Sequence, residues 1–362
     1  MLYKKIIRPI LFRFGPEKVH NFTIKLLSII DKSHFLNNLF FKTKNFTSPR
    51  IKQKIWGLYW RTPIGLTAGM DKSATCPTAW SAFDFGWAQI GSVTHLAQPG
   101  NPKPRLWRLP QDNGLVVYYG LSNKGAQAVA HKLNKIKNKR GLLSISIAKT
   151  SKVAMTDAAD DYAEAFKILE AHGNIITLNL SCPNVEDFSA LQKRDTLEPI
   201  LQKITKLNYN KKPIWLKISY DLSKQQLDDI ISLAKQYNIA AIVATNLAKD
   251  KSNLNLKSKY KNKPGGVSGQ VISEHANKVI SYLYKNCENK FKIIGVGGIF
   301  SGQDAYDKIK AGASLLQIAT GFIYNGPNSI KQINKQLDKL LQKNNFDHIS
   351  KAVGIEADKY NL

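Results

Sequence analysis

Residues 292–320 read KIIGVGGIFSGQDAYDKIKAGASLLQIAT. An apolar run is followed by a glycine-rich turn, a stretch with helical spacing over 302–311, and a second apolar run at 315–320. That order is a strand, a crossover helix and the next parallel strand, because short Ile- and Val-rich runs bounded by glycine suit strands buried on both faces. Further apolar runs lie at 64–70, 88–94, 142–148, 175–181, 213–219 and 240–246, with helix-like stretches at 157–172, 197–207, 223–237, 273–287 and 330–342. Eight such runs predict an α/β protein, a (β/α)8 TIM barrel. The expected division is an N-terminal helical extension over 1–50, the barrel over 51–345 and a C-terminal tail over 346–362. No repeat, low-complexity tract or Pro/Gly-rich linker interrupts the series.

Composition allows this and narrows the partners. A chain of 362 residues, 43% hydrophobic, can bury one large core. Its 53 Lys and Arg against 26 Asp and Glu give a formal charge of +27, which favours anionic surfaces such as phospholipid or nucleic acid without choosing between them. Many of these lysines fall on outer helix faces, as over 330–343, where they also serve as a solvated surface. The three cysteines, Cys76, Cys182 and Cys287, are odd in number and widely spaced. That argues against a disulfide framework and a C-x-x-C metal site, so no metal is expected.

Residues 1–15 have basic residues and short apolar runs but no long h-region with a cleavage site, so no signal peptide is expected. No apolar run reaches the roughly 18–20 residues of a spanning helix. Pro16 suits a first helical turn, and Val19, Phe22, Leu26, Leu27 and Ile30 recur at helical spacing with Lys18 and Lys25 on other faces. Residues 1 to about 35 therefore read as two short amphipathic helices. They either cap a barrel end or lie on a membrane surface, and the two roles are compatible.

In a barrel of this type the working residues sit where strands end and loops begin. Here those ends supply Ala68, Gly69 and Lys72, then Ser92, Ser146, Asn179 followed by Cys182 and Asn184, Lys217, Thr245 and Asn246, Gly297 and Gly298, and Thr320. Single residues of this kind make turns; two lysines, three asparagines and a cysteine converging on one rim exceed what turns require. The loops after the seventh and eighth runs, at 295–298 and 319–321, are of the kind whose backbone N–H groups hold a phosphate. A dinucleotide-binding reading of 295 onward is weaker, since that motif opens an early unit rather than closing the chain.

Many ordered motifs then carry a resemblance: HNFT at 20–23, GLTAGMDK at 65–72, IGSVT at 90–94, QPGNPKPR at 98–105, RLP at 108–110, NLSCPN at 179–184, ATN at 244–246, GGVSG at 265–269 and GASLLQI at 312–318. The chain resembles the dihydroorotate dehydrogenases, of the class that passes electrons to membrane quinone. The resemblance runs from residue 11 to 327. It implies FMN as cofactor, held by Ala68, Gly69, Lys72, Ser92, Ser146, Asn179, Lys217, Thr245, Gly269, Gly298, Ala319 and Thr320. It implies a pyrimidine site at Lys72, Val117, Gly120, Leu121, Asn179, Asn184 and Asn246, with Cys182 as catalytic base beside Lys72. His20 and Arg108 match quinone-site positions. Peripheral association with the cytoplasmic face of the inner membrane, and no nucleic acid, follow from the same likeness.

Lysines stabilise negative charge on a reduced flavin, and asparagines offer donor and acceptor to a ring that carries both. The match also has departures. The quinone-linked class normally has serine as base, and cysteine belongs to the soluble class. Val117 and Tyr118 stand in place of an Asn-Arg pair, Ser146 in place of an asparagine, Leu247 in place of a small hydroxyl residue, and Ala319 in place of a tyrosine. Residues 185–191 lack the usual Pro-Gly start of a lid. The alternative to dihydroorotate oxidation is therefore a diverged FMN enzyme of the same family acting on another small carbonyl or pyrimidine-like compound.

Overall fold

A computed structural model describes residues 2–33, 45–136, 141–182 and 188–362. Eight parallel strands close on themselves: β1 Ile64–Leu66, β2 Trp87–Val93, β3 Leu142–Ile147, β4 Ile175–Asn179, β5 Ile214–Lys217, β6 Ala241–Ala244, β7 Lys292–Val296 and β8 Leu315–Ile318. They pair in chain order, and β8 returns to β1 with Gln317 opposite Gly65. The α/β barrel expected from the eight apolar runs is therefore the fold. β1 is shorter than its run because residues beyond Leu66 leave the ladder for the rim, where the Gly69 N–H donates to the carbonyl of Gly91 on β2.

Side chains alternate along a strand, so residues two apart share the barrel interior. This stacks three layers of different character. At the N-terminal end of the strands Trp87 and Trp215 point inward, and the hairpin Gln53–Ile55/Leu58–Trp60 inserts Trp60 against them, with ring centroids at 5.5 and 6.1 Å. The hairpin turn, Trp56 and Gly57, takes positive φ at both residues, as a tight two-residue turn between twisted strands requires. One step up lies a buried polar layer. Gln89 donates to the hydroxyls of Ser144 at 3.0 Å and Thr177 at 2.7 Å, and accepts from the Gln317 amide at 3.1 Å. A further step up, at the strand ends, stand Ser146, Asn179 and Lys217. The tryptophans seal one end, so the barrel opens only at the other.

Outer helices bury their apolar faces on the strands. Two of them, Lys224–Gln236 and Gly302–Ala311, start with capping boxes at Ser223 and Ser301, and Gly302–Ala311 ends at Gly312 with positive φ. Residues 346–362, expected as a tail, form two 3-10 turns packed on these helices, where Lys310 pairs with Glu356 at 2.9 Å and Ser281 donates to the Ala357 carbonyl.

The open end is roofed. A three-stranded antiparallel sheet, Leu106–Leu109, Gly114–Val117 and Gly266–Gly269, forms one side. The helix Pro16–Lys32 and the preceding helical residues 2–12 form the other. Asp31 fixes the far end of helix Pro16–Lys32 by accepting from the Thr78 N–H and hydroxyl and the Ala79 N–H at 2.7–2.8 Å. The Tyr3 hydroxyl donates to the Ile323 carbonyl at 2.6 Å, anchoring the first turn.

The tryptophan plug makes a specific demand on β1. A Cβ on Gly65 would lie 2.0 Å from the Trp87 ring. Gly65→Ala is therefore expected to destabilise the fold by about 1–3 kcal/mol, the usual size of overpacking, read as a lower urea midpoint with unchanged slope.

Candidate active site at the barrel mouth

One cavity of about 580 Å³ runs from the strand ends, under the three-stranded sheet, to the gap between the N-terminal helices. Its floor is Thr67, Lys217 and Gln317. The Lys217 ammonium donates to the Thr67 hydroxyl at 3.1 Å. Among the described residues it makes no ion pair. Burial pulls its pKa down to about 8, opposed by the nearby Cys182 thiol.

A chain of side-chain hydrogen bonds crosses the β2–β6 side. Ser92 and Ser146 share a proton at 2.8 Å, and Asn179 donates to the Ser92 hydroxyl at 2.9 Å. The Asn179 carbonyl oxygen accepts from the Ser181 hydroxyl at 3.1 Å, and the Asn246 amide donates to the Ser181 carbonyl at 2.6 Å and hydroxyl at 3.0 Å. Alternation puts Asn179 two residues above Thr177 on one inner face, while Ser181, past the strand end, staples two asparagines whose strands are not neighbours. Cys182 follows directly, 7% exposed and lining the cavity. Val117, Leu121 and Leu247 add apolar side chains to the same lining.

On the roof side, the Lys72 ammonium lies 3.0 Å from His20 Nε2 and 4.0 Å from the centroid of the Tyr119 ring. The Arg105 guanidinium lies 4.8 Å from the same centroid and is held by Glu17 at 2.9 and 3.1 Å. Burial lowers the Lys72 pKa to about 8, with Arg105 adding to the shift and Asp71 and Glu17 opposing it. Burial, then the Lys72 charge, lower the His20 pKa to about 3, so its ring is neutral near pH 7. Arg108 donates to the carbonyls of Phe12 at 3.3 Å and Phe14 at 2.7 Å and lies 4.4 Å from the Phe12 ring centroid.

At the third corner, Ser268 and Thr320 share a hydroxyl hydrogen bond at 2.8 Å beside Gly269, Gly297, Gly298 and Gly321. Gly298 has φ +74, and a Cβ there would sit 2.3 Å from Ser273. A Cβ on Gly321 would sit 2.0 Å from the Ile299 carbonyl. At both positions a side chain would collide with the protein's own atoms, so only glycine lets these segments pack as they do at the cavity wall.

Of the expected site residues, the cavity collects Ala68, Gly69, Lys72, Ser92, Asn179, Lys217, Thr245, Gly269, Gly298, Ala319 and Thr320 with Val117, Gly120, Leu121, Asn246, Cys182, His20 and Arg108. Ser146 stands one layer back and reaches the cavity only through Ser92. Asn184 lies outside the described residues. Thr67, Tyr119, Ser268 and Gln317 also line the cavity, beyond the residues expected from the sequence. Thr67 and Ser268 stand inside quoted motifs, GLTAGMDK and GGVSG, whereas nothing in the sequence marks Tyr119 as a partner of Lys72.

A profile of the family described as dihydroorotate dehydrogenase matches residues 50–341. The chain belongs to the dihydroorotate dehydrogenase family. It is similar to proteins named dihydroorotate dehydrogenase (quinone) from Crocosphaera subtropica, at 40% identity over 94% of both chains, and from Trichodesmium erythraeum, at 37% over 98% of both. Among solved structures, a dihydroorotate dehydrogenase from Eimeria tenella in complex with ferulenol superposes with a TM-score of 0.86 at 27% identity, covering 94% of this chain and 95% of that one. The sequence resemblance to this family is thus borne out.

Arg108 ties the N-terminal helical residues to the roof sheet through two charge-assisted hydrogen bonds. Arg108→Ala is expected to speed amide hydrogen exchange over residues 8–14 by about 10-fold or more, with protection of β2–β8 unchanged.

Proposed function

We propose that this chain oxidises dihydroorotate to orotate on bound FMN and passes the electrons to a membrane quinone. One observation supports this above the others: Cys182, Lys72, Asn179 and Asn246 stand at one end of a single cavity whose other end opens between two amphipathic helices. A substrate site and an apolar exit share one space.

The residues present suit FMN. Lys217 is a buried cation facing the cavity, the glycines at 269, 298 and 321 line it, and Gln317 Oε1 is buried without a hydrogen-bond partner among the described residues. Its acceptor suits a ring N–H. Ser268, Gly269, Gly298 and Thr320 would hold the phosphate, and Ala68, Gly69, Ser92, Asn179, Lys217 and Thr245 the ring. Bound there, FMN supplies the acceptor for a hydride from substrate carbon.

The chain's own part is acid–base chemistry and orientation. As the thiolate, Cys182 takes the proton from the carbon next to a substrate carbonyl and becomes the thiol, and Lys72 faces the charge on the substrate's carboxylate. Asn179 and Asn246 orient the ring, and the buried position of Cys182 keeps water away. With the base buried and the cavity roofed, the electron pair has one destination.

The other end suits a membrane surface. No described helix is long and apolar enough to cross a membrane. Leu2, Ile6, Ile7, Ile10, Phe22, Leu26 and Ile29 on the N-terminal helical segments and Phe14 in the bend between them are exposed, beside Lys4, Lys5, Arg13, Lys18 and Lys25. Apolar exposure with flanking lysines fits shallow insertion among anionic lipids. We place the protein peripherally on the cytoplasmic face of the inner membrane, with residues 1–50 as the access module and His20 and Arg108 beside the quinone path.

A second reading, a family member acting on another small carbonyl compound, is favoured by Val117, Leu121 and Leu247, which give the substrate end an apolar wall.

Cys182→Ala is expected to keep FMN and slow flavin reduction by dihydroorotate about 10²–10⁴-fold, the usual size of a lost general base. Cys182→Ser retains part of the rate but needs higher pH. Stopped-flow reduction of the three forms decides it, and an alanine variant as fast as the parent would refute the assignment. Lys72 and Lys217 are protonated below about pH 8 and lose charge above it. Orotate affinity is accordingly expected to fall as pH rises through 8, measured by titration of flavin absorbance. Phe22→Glu with Ile29→Glu is expected to abolish binding to anionic vesicles while flavin reduction by dihydroorotate stays at the parent rate.

A further inference from the structure

Lys72 is a half-buried cation with an unusual set of neighbours. Among the described residues it forms no ion pair. The adjacent Asp71 carboxylate is occupied by the N–H groups of Thr75 at 2.8 Å and Cys76 at 2.9 Å. The ammonium instead rests over Tyr119 and donates to His20 Nε2, a residue that belongs to helix Pro16–Lys32 and not to the barrel. The second cation at Tyr119, Arg105, is held by Glu17, one turn earlier on the same helix. Lys103 approaches Glu17 as well, at 3.9 Å. One helical turn therefore touches both cations at the Tyr119 ring, Arg105 being held also by the carbonyls of Pro99 and Asn101 at 2.8 and 3.1 Å, and the other cation, Lys72, is the residue assigned above to substrate.

We propose that His20 is a positioning residue for the substrate half of the reaction: through its hydrogen bond to Lys72, the N-terminal helix holds that ammonium over Tyr119 and aims it at the substrate end of the cavity. The helix is then part of the electron-donating site as well as the wall of the exit. The inference rests on Lys72 contacting substrate. The neutral His20 ring makes the arrangement workable, since a second cation 3.0 Å from Lys72 would repel it, and burial together with Lys72 itself keeps that ring uncharged. An alkyl side chain in place of His20 leaves Lys72 without a hydrogen-bond acceptor among the described residues. A glutamine restores one at similar reach.

The test has two arms on the FMN-loaded full chain. In anaerobic stopped-flow reduction by dihydroorotate, His20→Leu is expected to be slower than the parent by about 10-fold or more, the usual effect of losing a hydrogen bond to a charged group. His20→Gln is expected to recover most of that loss, with the same flavin spectrum in all three. A merely structural role would leave both variants equally impaired. In the second arm, NMR of protein labelled with ¹⁵N-histidine follows His20 through a pH titration in the parent and in Lys72→Met. Removing the ammonium is expected to raise His20 titration above about 3, with burial, the larger cause, still holding it below the ordinary value of about 6.5. His20→Leu reducing its flavin at the parent rate, or His20 titrating identically with and without Lys72, overturns the proposal. If dihydroorotate fails to reduce the parent itself, the activity proposed above falls, and the NMR arm still decides the coupling between helix and lysine.

Discussion

Two lysine ammonium groups at the barrel mouth, Lys217 buried and Lys72 half-buried, with no carboxylate partner among the described residues, set the terms for everything around them. A charge taken out of water costs several kcal/mol unless hydrogen bonds and counter-charge replace hydration. Lys217 has one hydroxyl, from Thr67, and Lys72 has one imidazole nitrogen and one aromatic face. The barrel bears this because its lower half is so well filled. Trp60, Trp87 and Trp215 close the strand starts, and the Gln89–Ser144–Thr177–Gln317 layer above them carries its polar groups on one another except for Gln317 Oε1, which faces the cavity. Stability made there supports cations left under-compensated above, which is the arrangement that an anionic ligand completes.

The roof follows from the same constraint. Water entering freely would hydrate both lysines and weaken their field on any ligand. The three-stranded sheet and helix Pro16–Lys32 cover them, and the helix has a place in the chemistry because His20 and Glu17 on its first turns reach down to Lys72 and Arg105. The same helix turns exposed Phe22 and Ile29 outward. One element thus joins the substrate end to the surface from which a lipid-borne acceptor would arrive.

The barrel is legible in the sequence because its strands are buried on both faces and read as continuous apolar runs, so that all eight can be placed from the hydropathy pattern alone. The rim is legible for a different reason: polar residues at run ends have no place in a sheet core, which marks Lys217, Asn179 and Asn246 at once. What escapes depends on contacts between distant parts of the chain. Neither His20 nor Tyr119 carries a local sign that it meets Lys72. Residues 53–60 give no warning that their tryptophan stacks inside the barrel, and the roof strands at 106–109, 114–117 and 266–269 are too short and too scattered for period alone to join them. Ser146 reads as a site residue because it ends a run, and the structure sets it behind Ser92. The substitutions at 117, 118 and 247 are visible as departures from the family, and the apolar surface that Val117 and Leu247 give the cavity that Cys182 also lines is their spatial meaning.

The most direct test of the proposed activity is an anaerobic titration of the flavin-loaded chain with dihydroorotate, followed by absorbance. Bleaching of the oxidised flavin band by near-stoichiometric dihydroorotate, reversed when a soluble quinone is added, is the result this account requires. A flavin that dithionite reduces but dihydroorotate leaves oxidised would contradict it, and would show that the apolar wall of Val117, Leu121 and Leu247 has moved the site to another substrate.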